Sequence, residues 1–166
     1  MIIGRTWALT AKHVLPVVEA DKIGQVLKVI AHPTLDLALV QIAELKGTVK
    51  FARRMPRFGD KLNAIGWHLG AEKLWTEGRA GRFGKMSCEV MPGCSGGAVF
   101  NDQNELVGII KNVYMQAVID RMMGRRTQFG THVPHMAGYT PITKDVRTWI
   151  RESLKEYYEE ARKNRR

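Results

Sequence analysis

The chain has 166 residues, enough for one compact domain or two small ones sharing an interface. Forty-five percent apolar and 25% charged residues exclude a disordered chain, and no apolar run reaches the roughly 18 residues of a membrane-spanning helix. Twenty-six Lys and Arg against 16 Asp and Glu give a net charge of +10. Those bases are scattered over connecting stretches and over a tail, 151–166, where six of them meet four glutamates. The pattern reads as solvated surface, so a nucleic-acid partner is allowed but not favoured. Two cysteines, Cys88 and Cys94, cannot build a disulfide framework, although a single bridge stays open. They have no nearby histidine pair, so neither a metal nor a cofactor is expected. The segment Met1–Gly4 is too short for a secretory signal core, and a cytoplasmic location is expected.

In chain order, short strands dominate. A β-branched and aromatic run at 6–10, an alternating run at 25–30 and a continuous apolar run at 37–42 each predict a strand. The stretch 46–60, with Gly47, Pro56, Gly59 and several bases, reads as a connection between two halves. Strand signals resume at 61–66, 74–83, 86–90, 97–100, 105–113 and 131–140. Asn101-Asp102-Gln103-Asn104 is turn chemistry for a hairpin, and the polar, basic segment 116–130 predicts a surface loop. Thr143 is suited to cap a final helix on which Val146, Trp149, Ile150, Ser153, Leu154 and Tyr157 recur at helical spacing.

Three segments carry chemistry. Trp7-Ala8-Leu9-Thr10-Ala11-Lys12-His13 is a strand ending at a histidine. His32-Pro33-Thr34-Leu35-Asp36-Leu37-Ala38-Leu39 sets an aspartate before a buried strand. Pro92-Gly93-Cys94-Ser95-Gly96-Gly97 sets a serine in a glycine-rich turn. A serine hydroxyl is a poor nucleophile at neutral pH and needs a base, for which imidazole is nearly matched. That base needs a fixed tautomer, which a carboxylate on its other nitrogen supplies. The attacked carbonyl becomes an oxyanion and needs convergent backbone N–H donors, which Gly93 and Ser95 are suited to supply.

These segments resemble the three signatures of chymotrypsin-like, trypsin-fold serine peptidases: Thr-Ala-x-His, Asp-x-Ala-Leu and Gly-x-Ser-Gly-Gly. The run 59–66 with Glu77-Gly78 is similar to the second barrel of HtrA-type bacterial peptidases, and viral or phage relatives are also similar. Tyr139-Thr140-Pro141-Ile142 and the helix after it look like the family's last strand and terminal helix. The resemblance implies an all-β fold of two antiparallel Greek-key barrels with a C-terminal α-helix. In this chain the units would be a shortened first barrel (1–58), a second barrel (59–142) and a helix with basic tail (143–166). It implies a serine endopeptidase acting on polypeptides, with His13 as general base, Asp36 as its orienter, Ser95 as nucleophile and Gly93 as oxyanion donor. The alternative is a chymotrypsin-fold protein without activity that serves as a binding module.

The sequence departs from the family in places. Cys94 stands where trypsin-like enzymes often have an Asp that pairs with a cut N-terminus, so activation by cleavage is not expected. Lys111 stands where a small hydroxyl residue usually supports the triad aspartate, which leaves the support of Asp36 open. The family normally has two further strands before the histidine, where only a few residues stand here, so a first barrel of about four strands is expected, a shortened gene model or a larger precursor being the other explanation. The open edge of such a barrel invites self-association or completion by a precursor segment. By resemblance the specificity pocket has its floor at Glu89, favouring Lys or Arg before the cut, unless Glu89 is only a surface loop residue; its walls at Val90, Val113 and Ala137 equally suit a small aliphatic residue. His132 or His135 could instead select an acidic residue. His32 and His68 read first as structural or exposed.

Overall fold

The computed structural model describes residues 6–16, 26–43, 47–68, 72–114 and 137–164. The predicted loop at 116–130, the first part of the predicted strand at 131–140, and His132 and His135 lie outside the described residues.

The first half is a three-stranded antiparallel sheet of β1 (Trp7–Thr10), β2 (Val26–Ala31) and β3 (Ala38–Ile42), in the order β1-β3-β2. Leu39 and Val40 of β3 are buried, and β1 alternates buried Trp7 and Leu9 with half-buried neighbours, the period expected of a strand with one covered face. β1 pairs with β3 from Trp7↔Gln41 to Thr10↔Ala38. A 3-10 turn over Lys12–Val14 follows β1 directly.

Among the described residues the second half has six strands: β4 (Lys61–His68), β5 (Glu72–Arg79), β6 (Lys85–Met86), β7 (Ala98–Asn101), β8 (Leu106–Val113) and β9 (Ala137–Pro141). They form one antiparallel sheet in the order β5-β4-β7-β8-β9-β6. A bridge between Ala80 and Met86 ties its two ends together, rolling the sheet into a barrel. The predicted strand at 74–83 stops at Arg79, because Gly81 and Gly84 sit in a tight turn with Phe83 and Gly84 at positive φ. The predicted strand at 86–90 is a strand only through Met86. Past Ser87, which exchanges hydrogen bonds with Arg79, the chain turns inward and buries Cys88 and Val90 in the barrel core. Asn101–Asn104 makes the predicted hairpin turn, with Asn104 at positive φ and Asn101 Oδ1 accepting from Gln103 and Glu105.

Helix α1 (Lys144–Lys163) closes the chain. Thr143 caps it as expected, its Oγ1 accepting the Val146 N–H at 3.3 Å. Val146 and Ile150 are buried in a core that also holds Trp7, Leu9, Leu37 and Leu39 of the first half and Ala98, Leu106 and Ile109 of the second. Further along the helix, Tyr157 meets Trp7 edge-on at 5.2 Å between centroids and donates to Gln41 Oε1 at 2.8 Å. One apolar core therefore welds both halves and the helix together, while a second core fills the barrel. Among the described residues no helix is long and apolar enough to cross a membrane.

Glu105 lies between this welded core and the surface, bonded by Lys50 Nζ at 2.7 Å and Asn101 Nδ2 at 3.1 Å. These partners, Lys50 foremost, hold its carboxyl below its ordinary 4.5. A lowered folded value means stability that is complete above that ordinary value and is lost as pH falls through the folded one. Urea titrations from about pH 6 to pH 3 are expected to give a shallower acid loss for Glu105→Gln than for the wild type.

Candidate active site

The register of β1 on β3 carries the chain past Thr10↔Ala38 so that His13 and Asp36 leave the sheet at the same end. Asp36 holds His13 at two points. Its Oδ1 accepts the His13 backbone N–H at 2.9 Å, and its Oδ2 lies 2.7 Å from the His13 Nδ1. The carboxylate is mostly sheltered, at 18% exposure, whereas the His13 side chain is 47% exposed. With Nδ1 committed to Asp36, Nε2 is the ring nitrogen without a partner among the described residues.

The serine turn is built on glycines. Gly93 and Gly96 have φ of 92° and 83°, in the left-handed region that favours glycine. A Cβ on Gly96 would collide with Thr10 Oγ1 and lie 3.5 Å from Ala11 N and Val14 Cγ2, so the turn bearing Ser95 rests directly on the segment bearing His13. A Cβ on Gly66 would lie 2.6 Å from that of Cys94, so the other side of the turn seats on β4. Within the turn, the N–H groups of Cys94, Gly96 and Gly97 bond to Met91 O, Ile110 O and Cys94 O. Those of Gly93 and Ser95 have no acceptor among the described residues.

Ser95 Oγ donates to the Lys111 carbonyl at 3.2 Å. That carbonyl is exposed to it because Lys111 sits in a bulge, skipped in the β8–β9 register between Ile110 and Asn112. The Lys111 residue is exposed, and among the described residues both hydrogen bonds to the Asp36 carboxylate come from His13. Lys111 thus leaves Asp36 without the side-chain support that a small hydroxyl residue would give.

Cys94 is 1% exposed, and burial pushes its thiol above the ordinary range. Burial pushes the Cys88 thiol up to about 12. Both cysteines are free, so the open question of a single bridge is answered in the negative. Neither thiol is poised as a nucleophile.

The pocket candidates divide. Glu89 is exposed, whereas Val90 and Ala137 are buried in the barrel core, and Val113, paired with Ala137 across β8 and β9, packs partly against it. A groove of about 420 Å³ lined by Met55, Phe58, Arg82, Phe83, Tyr139 and Pro141 contains none of the catalytic candidates. No cluster of residues able to hold a metal occurs among the described residues.

Two histidines set aside in the sequence have specific partners. His68 donates from Nδ1 to Pro92 O at 2.8 Å, fastening the entry to the serine turn. His32 lies in the turn that carries Asp36, its ring 4.7 Å from that of Trp149. The sequence signal for both is their spacing from a motif, four residues before Asp36 and two after Gly66.

Gly59 has a φ of 86°, close to that of Gly96, but open space around its Cβ position. Both alanine substitutions carry left-handed strain of about 1–3 kcal/mol. Only Gly96→Ala also forces Thr10 away, so urea denaturation is expected to register a clearly larger loss for Gly96→Ala than for Gly59→Ala.

Comparison with known proteins bears on the family and the fold. No sequence among curated proteins matches the chain. Among solved structures, the serine endoprotease from Yersinia pestis is similar in fold at a TM-score of 0.59 and 22% identity, over 93% of this chain and 56% of that one. The chain therefore spans little more than half the length of that protein. The family model of the trypsin-like peptidase domain matches residues 1–109, which is most of the chain, and the protein belongs to that family.

Proposed function

We propose that the protein is a serine endopeptidase that cleaves polypeptides through His13, Asp36 and Ser95 and a covalent acyl-enzyme. The observation that carries this reading is the His13 ring, gripped by Asp36 at 2.7 Å, on the segment against which the glycine turn bearing Ser95 packs. The trypsin-like family assignment and the inert, buried Cys94 support it.

The chemistry follows from the groups present. The Ser95 hydroxyl leaves the Lys111 carbonyl by rotation about its own side-chain bond and turns to His13 Nε2. As Oγ attacks the substrate carbonyl, Nε2 takes its proton, and Asp36 stabilises the imidazolium. The oxyanion accepts from the unpaired N–H groups of Gly93 and Ser95. His13 then protonates the leaving amine, the C–N bond breaks, and an acyl-Ser95 ester remains. Water attacks that ester with His13 again as base, restoring the Ser95 hydroxyl and releasing the acid. Once Ser95 turns away, the Lys111 carbonyl is free to accept a substrate N–H. In this reading the units are 1–58, 59–142 and 143–166, with the site between the first two. Exposed Glu89 is the pocket's selective charge, favouring Lys or Arg before the cut.

A peptide-library cleavage profile of wild type against Ser95→Ala tests the proposal, with a fluorophosphonate label on Ser95 as a second readout. Cleavage is expected to fall by about 10⁴-fold or more in Ser95→Ala and by about 10⁴-fold in Asp36→Asn. Glu89→Gln is expected to erase the preference for basic residues while sparing cleavage elsewhere. A folded wild-type protein that no serine reagent labels would instead be a binding module on this fold.

A further inference from the structure

We propose that His32 is a positioning residue for Asp36, its Nδ1 serving as the hydrogen-bond acceptor that closes the turn carrying the carboxylate. The catalytic consequence rests on the peptidase reading of Asp36, whereas the structural claim stands without it.

The argument starts from what Asp36 lacks. Among the described residues, both of its carboxylate bonds go to His13, the residue it must orient. Lys111, on the strand beside the serine turn, sends no side-chain bond to it. Its aim is therefore set by the backbone of the turn 32–37. That turn is closed from within. The His32 N–H donates to Leu37 O at 2.9 Å, and the Leu37 N–H to Leu35 O at 2.9 Å. The N–H groups of Thr34 and Leu35 both donate to His32 Nδ1, at 3.2 and 3.0 Å. Pro33 has no N–H to satisfy. Leu35 and Leu37, the two neighbours of Asp36, are thus both fixed, one by the ring and one by the backbone of residue 32. The terminal helix supplies the backing, with Trp149 tilted 60° against the ring.

An imidazole nitrogen accepts only when it carries no proton, so the geometry requires the Nε2–H tautomer of a neutral ring. The surroundings favour that form. Partial burial, and then Lys12 on the 3-10 turn, hold the His32 pKa below 6.5. An arginine, lysine or alanine at this position has no acceptor to offer, whereas an asparagine Oδ1 can take the same N–H groups two and three residues on, as in an Asx turn.

The experiment uses the full chain. In the wild type near neutral pH, ¹⁵N NMR is expected to give His32 Nδ1 the shift of an unprotonated nitrogen, and a protonated Nδ1 would overturn the proposal without any mutation. His32→Ala is expected to lose the low-field proton of the His13–Asp36 bond and to lower kcat by about 10²-fold with KM little changed. His32→Asn is expected to restore both. An alanine variant that keeps the low-field proton and kcat, or a folded asparagine variant that restores neither, refutes the assignment. The NMR arms report on the His13–Asp36 bond without turnover, so an inactive protein would count against the peptidase reading and leave this one to be judged by its own signals.

Discussion

Asp36 spends both oxygens on one residue, and much of the first half serves that grip. A carboxylate that accepted only the ring would let His13 swing about its side-chain bonds. The second bond, to the His13 backbone N–H, fixes where the residue stands before the ring is oriented. The grip depends on register. Antiparallel pairing of β1 with β3 brings residues 13 and 36 off the sheet together, and a slip by one residue would turn Trp7 and Leu9 out of the core. The apolar face that fixes the core is thus the same feature that fixes the histidine.

The serine side is built by close approach instead of by pairing. Gly96 meets Thr10, Gly66 meets Cys94, and Gly97 meets the backbone of Ile65, each at a distance no side chain tolerates. These contacts let the turn rest on both halves at once. The Lys111 bulge completes it by aiming a carbonyl at Ser95 that regular pairing would have consumed. A turn held this tightly fixes the direction in which the N–H groups of Gly93 and Ser95 point.

The strands and the three motifs were legible because they are local: alternation, β-branching and glycine runs sit within a few residues of one another. The strand ends were less so. That Met86 ends β6 depends on Cys88 finding space inside the barrel, where its Sγ reaches the Leu62 carbonyl at 3.8 Å. His32 was illegible for a sharper reason. Its role as an acceptor depends on a tautomer and on a ring contact with Trp149, far along the chain. The absence of a hydroxyl residue at 111 did hint that Asp36 needed other support, but nothing local named the substitute.

A small sheet with one apolar face is stabilised by packing that face against another element. Here α1 covers it, with Val146 and Ile150 in the shared core, Trp149 on His32 and Tyr157 on Trp7 and Gln41. The helix therefore does two things with one face. It supplies apolar area to the core shared with the first half, and it backs the ring that closes the Asp36 turn. Stability of the first half and alignment of its carboxylate are thus coupled through the same few side chains.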